Sequence, residues 1–185
     1  MKKTGIIIII VLILVVILAF VFLKDNKDDN LSNNEKEVGK MQIKSVFNHN
    51  EKIPNIYTCD GEDKSPEIFI SEVPGGAKSL VLIVDDPDAP AGTWVHWLLW
   101  NIDPGIASIG ENSIPVGAKQ GMNDFKKLEY GGPCPPSGTH RYFFKVYALD
   151  IELDLEEGSS KEELEKAMKG HMLDKAELIG VYSRG

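Results

Sequence analysis

The apolar positions of this chain fall into two regions of different pattern. Residues 5–23 carry no charge and are mostly Ile, Val or Leu, a run that would reach roughly 30 Å as a helix. After a polar stretch at 24–40, apolar residues come in short alternating or continuous runs bounded by Gly and Pro. That change predicts one N-terminal transmembrane helix, a flexible linker, and a mainly β domain at 41–185.

The flanks of the first region predict its orientation. Residues 1–4 include Lys2 and Lys3, which favour a cytoplasmic N-terminus and a domain on the extracytoplasmic side of the membrane. A cleaved signal peptide would need small residues at its cleavage site, but bulky residues follow Ala19, and a lipoprotein would need a cysteine near the segment. We therefore expect an uncleaved single-pass anchor.

Within 41–185, the pattern predicts several short strands and one helix. Strands are expected in the apolar runs at 41–47, 67–70, 79–84, 94–102, 142–149 and 178–182. Ser160 and Glu163 form a capping box before Leu164 and Met168, which share a helix face, and Gly170 is placed to end that helix. Short strands with one late helix favour a β-sandwich with helical additions.

His96 lies in the strand predicted at 94–102, and His140 comes two residues before the strand predicted at 142–149. Strict alternation gives a shared face to each of two sets of side chains, namely Trp94, His96, Leu98 and Trp100, and His140, Tyr142 and Phe144. A lone histidine among apolar groups is usually a core residue bonded to backbone. Two such faces, one after an acidic turn and the other after a Pro/Gly loop, predict a small polar pocket instead.

The acidic turn supplies Asp86 and Asp88 on either side of Pro87. One carboxylate would accept a hydrogen bond from an imidazole and fix its tautomer, and the other would cap the turn. Spacing alone leaves open which carboxylate has which role.

The Pro/Gly loop at 131–136 has three prolines and few backbone donors. The N–H groups that remain at Gly132 and Cys134 would be held rigidly and would seat an anion beside the imidazole and phenol groups. The alternative interpretation is a stiff surface turn without a ligand.

Charge and cysteine content limit the partners. The formal net charge is −8 and no basic run follows the N-terminus, which argues against nucleic acid as a partner and gives no attraction to anionic lipid. Cys59 and Cys134 would pair in an exported domain or remain free thiols, and no zinc-type Cys/His spacing is present. We expect no metal and no cofactor.

Catalysis is the weaker interpretation of these residues. Ser137 and Cys134 are the nearby nucleophile candidates, and neither lies in a nucleophile-elbow context. Binding is therefore the first hypothesis. The alternatives are a protein-interaction module that inhibits a protease or kinase, and a weak hydrolase that uses Asp86 and the histidines.

Four short motifs in this order resemble the phosphatidylethanolamine-binding protein family. They are DPDAP at 86–90, WVHW at 94–97, GGPCPP at 131–136 and HRY at 140–142. The resemblance is greatest to the prokaryotic branch of Raf kinase inhibitor-like proteins of the YbhB/YbcL type, and it extends over about 41–185.

The resemblance implies an antiparallel β-sandwich of Greek-key type with peripheral and C-terminal helices. It also implies a pocket for a small anionic or zwitterionic ligand such as phosphate or a phospholipid head group, lined by Asp86, His96, His140 and Tyr142, framed by Gly132, Cys134 and Pro135, and with Pro90 at the rim. Asp88 and Arg141 would support the pocket through a bidentate ion pair. We expect a membrane-anchored binding protein with a regulatory role, and the resemblance leaves a protein partner and a homodimer open.

Overall fold

The computed structural model describes residues 40–184. The predicted anchor at 5–23 and the predicted linker up to residue 39 lie outside the described residues. Among residues 40–184, no helix is long and apolar enough to cross a membrane.

The described residues form a mainly β structure with one short helix, as the sequence predicts. The strands are β1 (Gln42–Ser45), β2 (Glu51–Lys52), β3 (Ile68–Ser71), β4 (Ser79–Asp86), β5 (Trp94–Ile102), β6 (Ser108–Ile109), β7 (Lys119–Gln120), β8 (Thr139–Leu149) and β9 (Met172–Ser183). The α-helix is α1 (Lys161–Met168), and a 3-10 turn covers Asn55–Tyr57.

The strands form two sheets that pack face to face. A six-stranded sheet has the order β2-β9-β8-β4-β5-β7, and a three-stranded sheet has the order β1-β3-β6. The main core lies between them, where Ile43 and Ile68 of the small sheet join Leu82, Leu99 and many other buried residues of the large one. Within the large sheet, β8-β4-β5-β7 follows the Greek-key order. The strand pairs of both sheets are antiparallel, as predicted, except at one edge of the large sheet, where β2 pairs with β9 in parallel.

The prediction of C-terminal helices is wrong for the described residues. The single α-helix precedes β9, and β9 extends over 12 residues. The apolar signal of this strand is weak because its inward positions include Ala176 and Gly180. A Cβ at Gly180 would lie only 2.5 Å from Cγ1 of Ile53 and 2.8 Å from Cε2 of Phe47, so the bare backbone is required for packing.

The helix α1 covers the outer face of the large sheet. Ser160 and Glu163 form the predicted capping box. Leu164 and Met168 pack in a second apolar cluster with Val81, Ile83, Leu98 and Trp100 of the sheet. Because β4 contributes to both clusters, all eight of its residues are buried.

One buried carboxylate ties this helix to the sheet. Asp85 near the end of β4 is fully buried and accepts hydrogen bonds from Lys145 Nζ at 2.7 Å and from Lys161 Nζ at 2.6 Å. Lys145 belongs to β8 and Lys161 to α1. The ion triad therefore fixes three elements behind the strand end that carries Asp86.

The predicted face of β5 is interrupted by a bulge. Val84 pairs with Trp97 but Asp85 pairs with Val95, so His96 is the extra residue. As a result Leu98 and Trp100 pack under α1, while His96 turns toward Tyr142 of the main core. The prediction that Trp94, His96, Leu98 and Trp100 share one face is wrong because a bulge shifts the alternation by one residue.

Candidate ligand-binding site

A cavity of ≈ 250 Å³ opens where the ends of β4, β5 and β8 meet the Pro/Gly loop. Its polar side chains are Asp86, His96, His140 and Tyr142. Its remaining wall consists of Ala89, Pro90, Ala91, Trp94, Phe125, Cys134, Pro135 and Pro136. A few convergent polar groups within a mainly apolar wall are typical of a small-molecule site.

Asp86 orients one of the two imidazoles. Its Oδ2 lies 2.7 Å from His140 Nδ1, and both residues are buried. Its Oδ1 accepts the backbone N–H of Asp88 at 2.8 Å. The same carboxylate therefore fixes the imidazole and caps the turn, two roles that the sequence had left to be divided between Asp86 and Asp88.

His96 is held by backbone rather than by a carboxylate. Its Nδ1 lies 2.6 Å from the carbonyl oxygen of Gly131, and its ring meets Tyr142 and Phe125 edge-on at 5.1 and 5.4 Å between centroids. Because a carbonyl only accepts, Nδ1 carries the proton. Burial lowers the pKa of His96, and the Gly131 carbonyl and the nearby Asp86 charge oppose that shift.

This lowered pKa gives a testable pH dependence of stability. The unfolded chain takes up the proton near pH 6.5, before the folded chain does, so stability that is present above pH 6.5 is lost as the pH falls toward the lower folded pKa. We expect urea unfolding of the full-length protein to show a larger loss of stability from pH 7 to pH 5 than the His96→Gln variant shows. Equal losses in the two proteins would contradict this assignment.

Tyr142 brings a donor without a partner. Its side chain is 1% exposed, and its hydroxyl makes no hydrogen bond to any described residue. Burial raises the pKa of Tyr142, the Asp86 charge adds to the rise, and the Cys134 N–H opposes it without completing a hydrogen bond. The phenol therefore keeps its proton. The indole N–H of Trp94, in the same wall, is likewise buried without a partner.

The Pro/Gly loop is fixed from behind. The N–H of Gly132 donates to Asp63 Oδ1 at 2.6 Å, and a Cβ at Gly132 would lie 2.5 Å from the Tyr57 carbonyl oxygen. Cys134 is joined to Cys59 by a disulfide, and Cys134, Pro135 and Pro90 line the cavity as the resemblance implies. Gly132 does not line it, and its N–H is not available to an anion because Asp63 occupies it.

Asp88 and Arg141 lie beside the cavity and do not line it. Arg141 donates from Nε and Nη2 to the two carboxylate oxygens of Asp88, at 2.8 and 2.7 Å, and its backbone N–H donates to the same side chain. The Arg141 guanidinium holds the pKa of Asp88 down, at about 2. The pair fastens the start of β8 to the turn after β4, next to Asp86 and His140.

Several residues that shape the site are not among the residues predicted for it. Phe125 reaches the cavity from a loop that is held by Asn123, whose amide donates to the Glu129 and His96 carbonyls at 2.8 and 3.3 Å. Asp63 accepts the Gly132 N–H from 69 residues away in the sequence.

Across residues 40–184, no cluster of three or more His, Cys, Asp or Glu side chains is arranged to hold a metal ion.

Comparison with known proteins finds sequence relatives over nearly all of the described residues. The sequence profile of phosphatidylethanolamine-binding protein matches residues 43–183. A UPF0098 protein of Methanothermobacter thermautotrophicus is 54% identical over 151 residues, which are 78% of this chain and all of the relative. A UPF0098 protein of Pyrococcus horikoshii is 51% identical over 152 residues, which are 78% of this chain and 77% of the relative.

Two solved structures are similar to the described domain. A protein of Chlamydia trachomatis, described as a phosphatidylethanolamine-binding protein homologue, has a TM-score of 0.76 at 43% identity and covers 79% of this chain and 99% of its own. YbcL of Escherichia coli, described as a new member of the mammalian family, has a TM-score of 0.74 at 31% identity and covers 80% of this chain and 100% of its own.

Proposed function

The chain belongs to the phosphatidylethanolamine-binding protein family, and on that premise we propose that it binds a small phosphate-like anion or head group in the cavity at the ends of β4, β5 and β8. The observation that carries this proposal is the Tyr142 hydroxyl. It is a buried donor without a protein partner in the wall of a cavity. Since a buried polar group without a partner is costly, a ligand oxygen is a natural acceptor for it.

The surrounding groups support binding more than turnover. His96 and His140 each use Nδ1 to bond the protein, which leaves Nε2 of each ring without a bond to any described residue. Neither nucleophile candidate is available in the cavity, because Cys134 is bonded to Cys59 in a disulfide and Ser137 does not line the cavity wall. The site offers oriented polar groups but no activated nucleophile, so we propose a binding protein and not an enzyme.

Two phenols of this chain provide a matched test. Tyr142→Phe removes the free donor, and we expect phosphate affinity to fall at least about tenfold with no loss of stability, because the lost hydroxyl has no partner in the unliganded protein. Tyr130→Phe removes a buried hydroxyl that donates to the Tyr57 carbonyl at 2.9 Å. We expect that variant to lose about 1 kcal/mol of stability and to keep its phosphate affinity.

Calorimetric titration of phosphate into the full-length protein and urea unfolding measure both quantities. Unchanged affinity in Tyr142→Phe would contradict the proposed site, and so would an equal loss of affinity in both variants.

We also propose that the domain is held outside the cytoplasm by the N-terminal segment. The apolar run at 5–23 supports the anchor, and the disulfide between Cys59 and Cys134 supports an oxidising compartment. Membrane fractionation tests this: we expect the protein in the membrane fraction with its domain open to added protease, and expect a variant that lacks residues 5–23 in the soluble fraction. Protection of the domain from protease added to intact spheroplasts would contradict the proposed orientation.

A further inference from the structure

The two imidazoles at the cavity have fixed orientations. His96 points its Nδ1 proton at the Gly131 carbonyl, so Nε2 of the neutral ring is a hydrogen-bond acceptor. His140 points Nδ1 at Asp86, which leaves its Nε2 as the other free ring nitrogen of the cavity. The Gly131 carbonyl therefore fixes which nitrogen of the His96 ring carries the proton. Nε2 stays a hydrogen-bond acceptor, because turning the ring would break the bond to Gly131.

Two donors without a partner among the described residues belong to side chains of the same cavity wall. The Tyr142 ring lies edge-on to the His96 ring at 5.1 Å between centroids, and its hydroxyl is free. The Trp94 indole N–H is free in the same wall. A complementary group must then offer acceptor oxygens to these donors and also one donor to His96 Nε2.

Resting on the binding function proposed above, we propose that the cavity selects oxyanions that carry a proton, namely phosphate and phosphomonoesters, and that His96 sets this selectivity. The P–OH group donates to His96 Nε2, and the remaining oxygens accept from the Tyr142 hydroxyl and the Trp94 indole N–H. Sulfate has the same tetrahedral shape but carries no proton. In a phosphodiester, an ester carbon takes the place of the P–OH proton. Either one leaves a lone pair on His96 facing an oxygen lone pair.

The charges around His96 are consistent with a neutral ring. Burial lowers its pKa, and the carboxylates that oppose the shift are Asp86 at the cavity, Asp85 behind β4 and Asp63 behind the loop. His140 and Tyr142 are the other titratable residues of the cavity wall. A phosphomonoester has its second pKa near 6, so a proton on the ligand is available close to neutral pH.

Calorimetric titrations of the full-length protein at pH 6.5 test the selectivity. We expect inorganic phosphate to bind at least roughly tenfold more tightly than sulfate, the discrimination that a missing hydrogen bond to a charged group produces. Equal affinities would overturn the selectivity while leaving the binding function intact. Absence of binding by phosphate and by phosphoethanolamine would overturn both proposals.

A second pair of ligands separates two sources of the donor. Phosphoethanolamine is a monoester with P–OH, whereas glycerophosphoethanolamine is a diester that keeps the same ammonium group. We expect the monoester to bind more tightly. Equal binding would show that the donor comes from outside the phosphate group, from the ammonium or a glycerol hydroxyl, and would overturn the assignment to P–OH.

The role of His96 has a variant test and a test on the unaltered protein. In His96→Gln the amide can turn its NH₂ into the cavity, so we expect sulfate to gain affinity and the phosphate-to-sulfate ratio to fall toward one. In the wild type, ¹⁵N NMR of the ring should show a neutral, Nδ1-protonated His96 with phosphate bound. An imidazolium at His96 in that complex would overturn the proposal whether or not the variant folds.

Discussion

Replacing Asp85 with asparagine is expected to cost about 3 kcal/mol of unfolding free energy, because it leaves two lysines converging on a neutral buried group. The Asp85 side chain is fully buried, whereas Lys145 and Lys161 are 20% and 21% exposed. The lysines can thus recover part of their hydration, which places the loss at the lower end of the range for a broken buried ion pair. Urea unfolding of the full-length protein at neutral pH measures it.

The same substitution at Asp150 is the control. Asp150 pairs with His171 at 2.9 Å, but both side chains are more than 40% exposed, so Asp150→Asn should change stability by less than about 1 kcal/mol. Lys161→Met should cost less than Asp85→Asn, because Asp85 keeps its bond to Lys145 at 2.7 Å. Equal effects of Asp85→Asn and Asp150→Asn would show that the triad contributes no more than a surface pair.

The parts of the fold that the sequence predicts are those with a strong local signal. The strand β4 follows from a continuous apolar run, and α1 follows from Ser160 and Glu163 at capping-box spacing. The bulge at His96 has no such signal, because β5 is apolar on both faces and a shift of one residue leaves the pattern unchanged. The first half of β9 is missed because it begins with exposed Met172 and Leu173 and has small residues inside.

The candidate site shows the same difference between residues with a local sequence signal and residues without one. Asp86, His140 and Tyr142 lie next to turns that the sequence shows, and the structure brings them to one cavity with His96. The partners that fix them are distant in sequence: Gly131 holds His96 from 35 residues away, and Asp63 takes the Gly132 N–H. Which backbone donor is already occupied depends on tertiary contacts, so spacing could not show that Gly132 is unavailable to a ligand.

The disulfide joins the Pro/Gly loop, which forms part of the cavity wall, to the segment around Cys59, which packs behind that loop. Cys59 follows the 3-10 turn at 55–57, and its N–H donates to the Pro133 carbonyl at 3.2 Å. Cys134 lines the cavity, and its N–H lies near the Tyr142 hydroxyl. A covalent link at this point limits the movement of the Pro/Gly loop relative to the segment that packs behind it.

Removing this link should therefore affect both stability and binding. The two cysteines are 75 residues apart, and closing a loop of that length removes chain entropy from the unfolded state worth about 4 kcal/mol. We expect the double variant Cys59→Ser with Cys134→Ser to lose about that much in urea unfolding, and to bind phosphate more weakly because the loop beside Tyr142 is no longer fixed. Dithiothreitol should lower the stability of the wild type to that of the double variant and leave the double variant unchanged. A loss below about 1 kcal/mol would show that the hydrogen bonds of Gly132 and Cys59 already hold the loop, so that the disulfide adds little to the constraint.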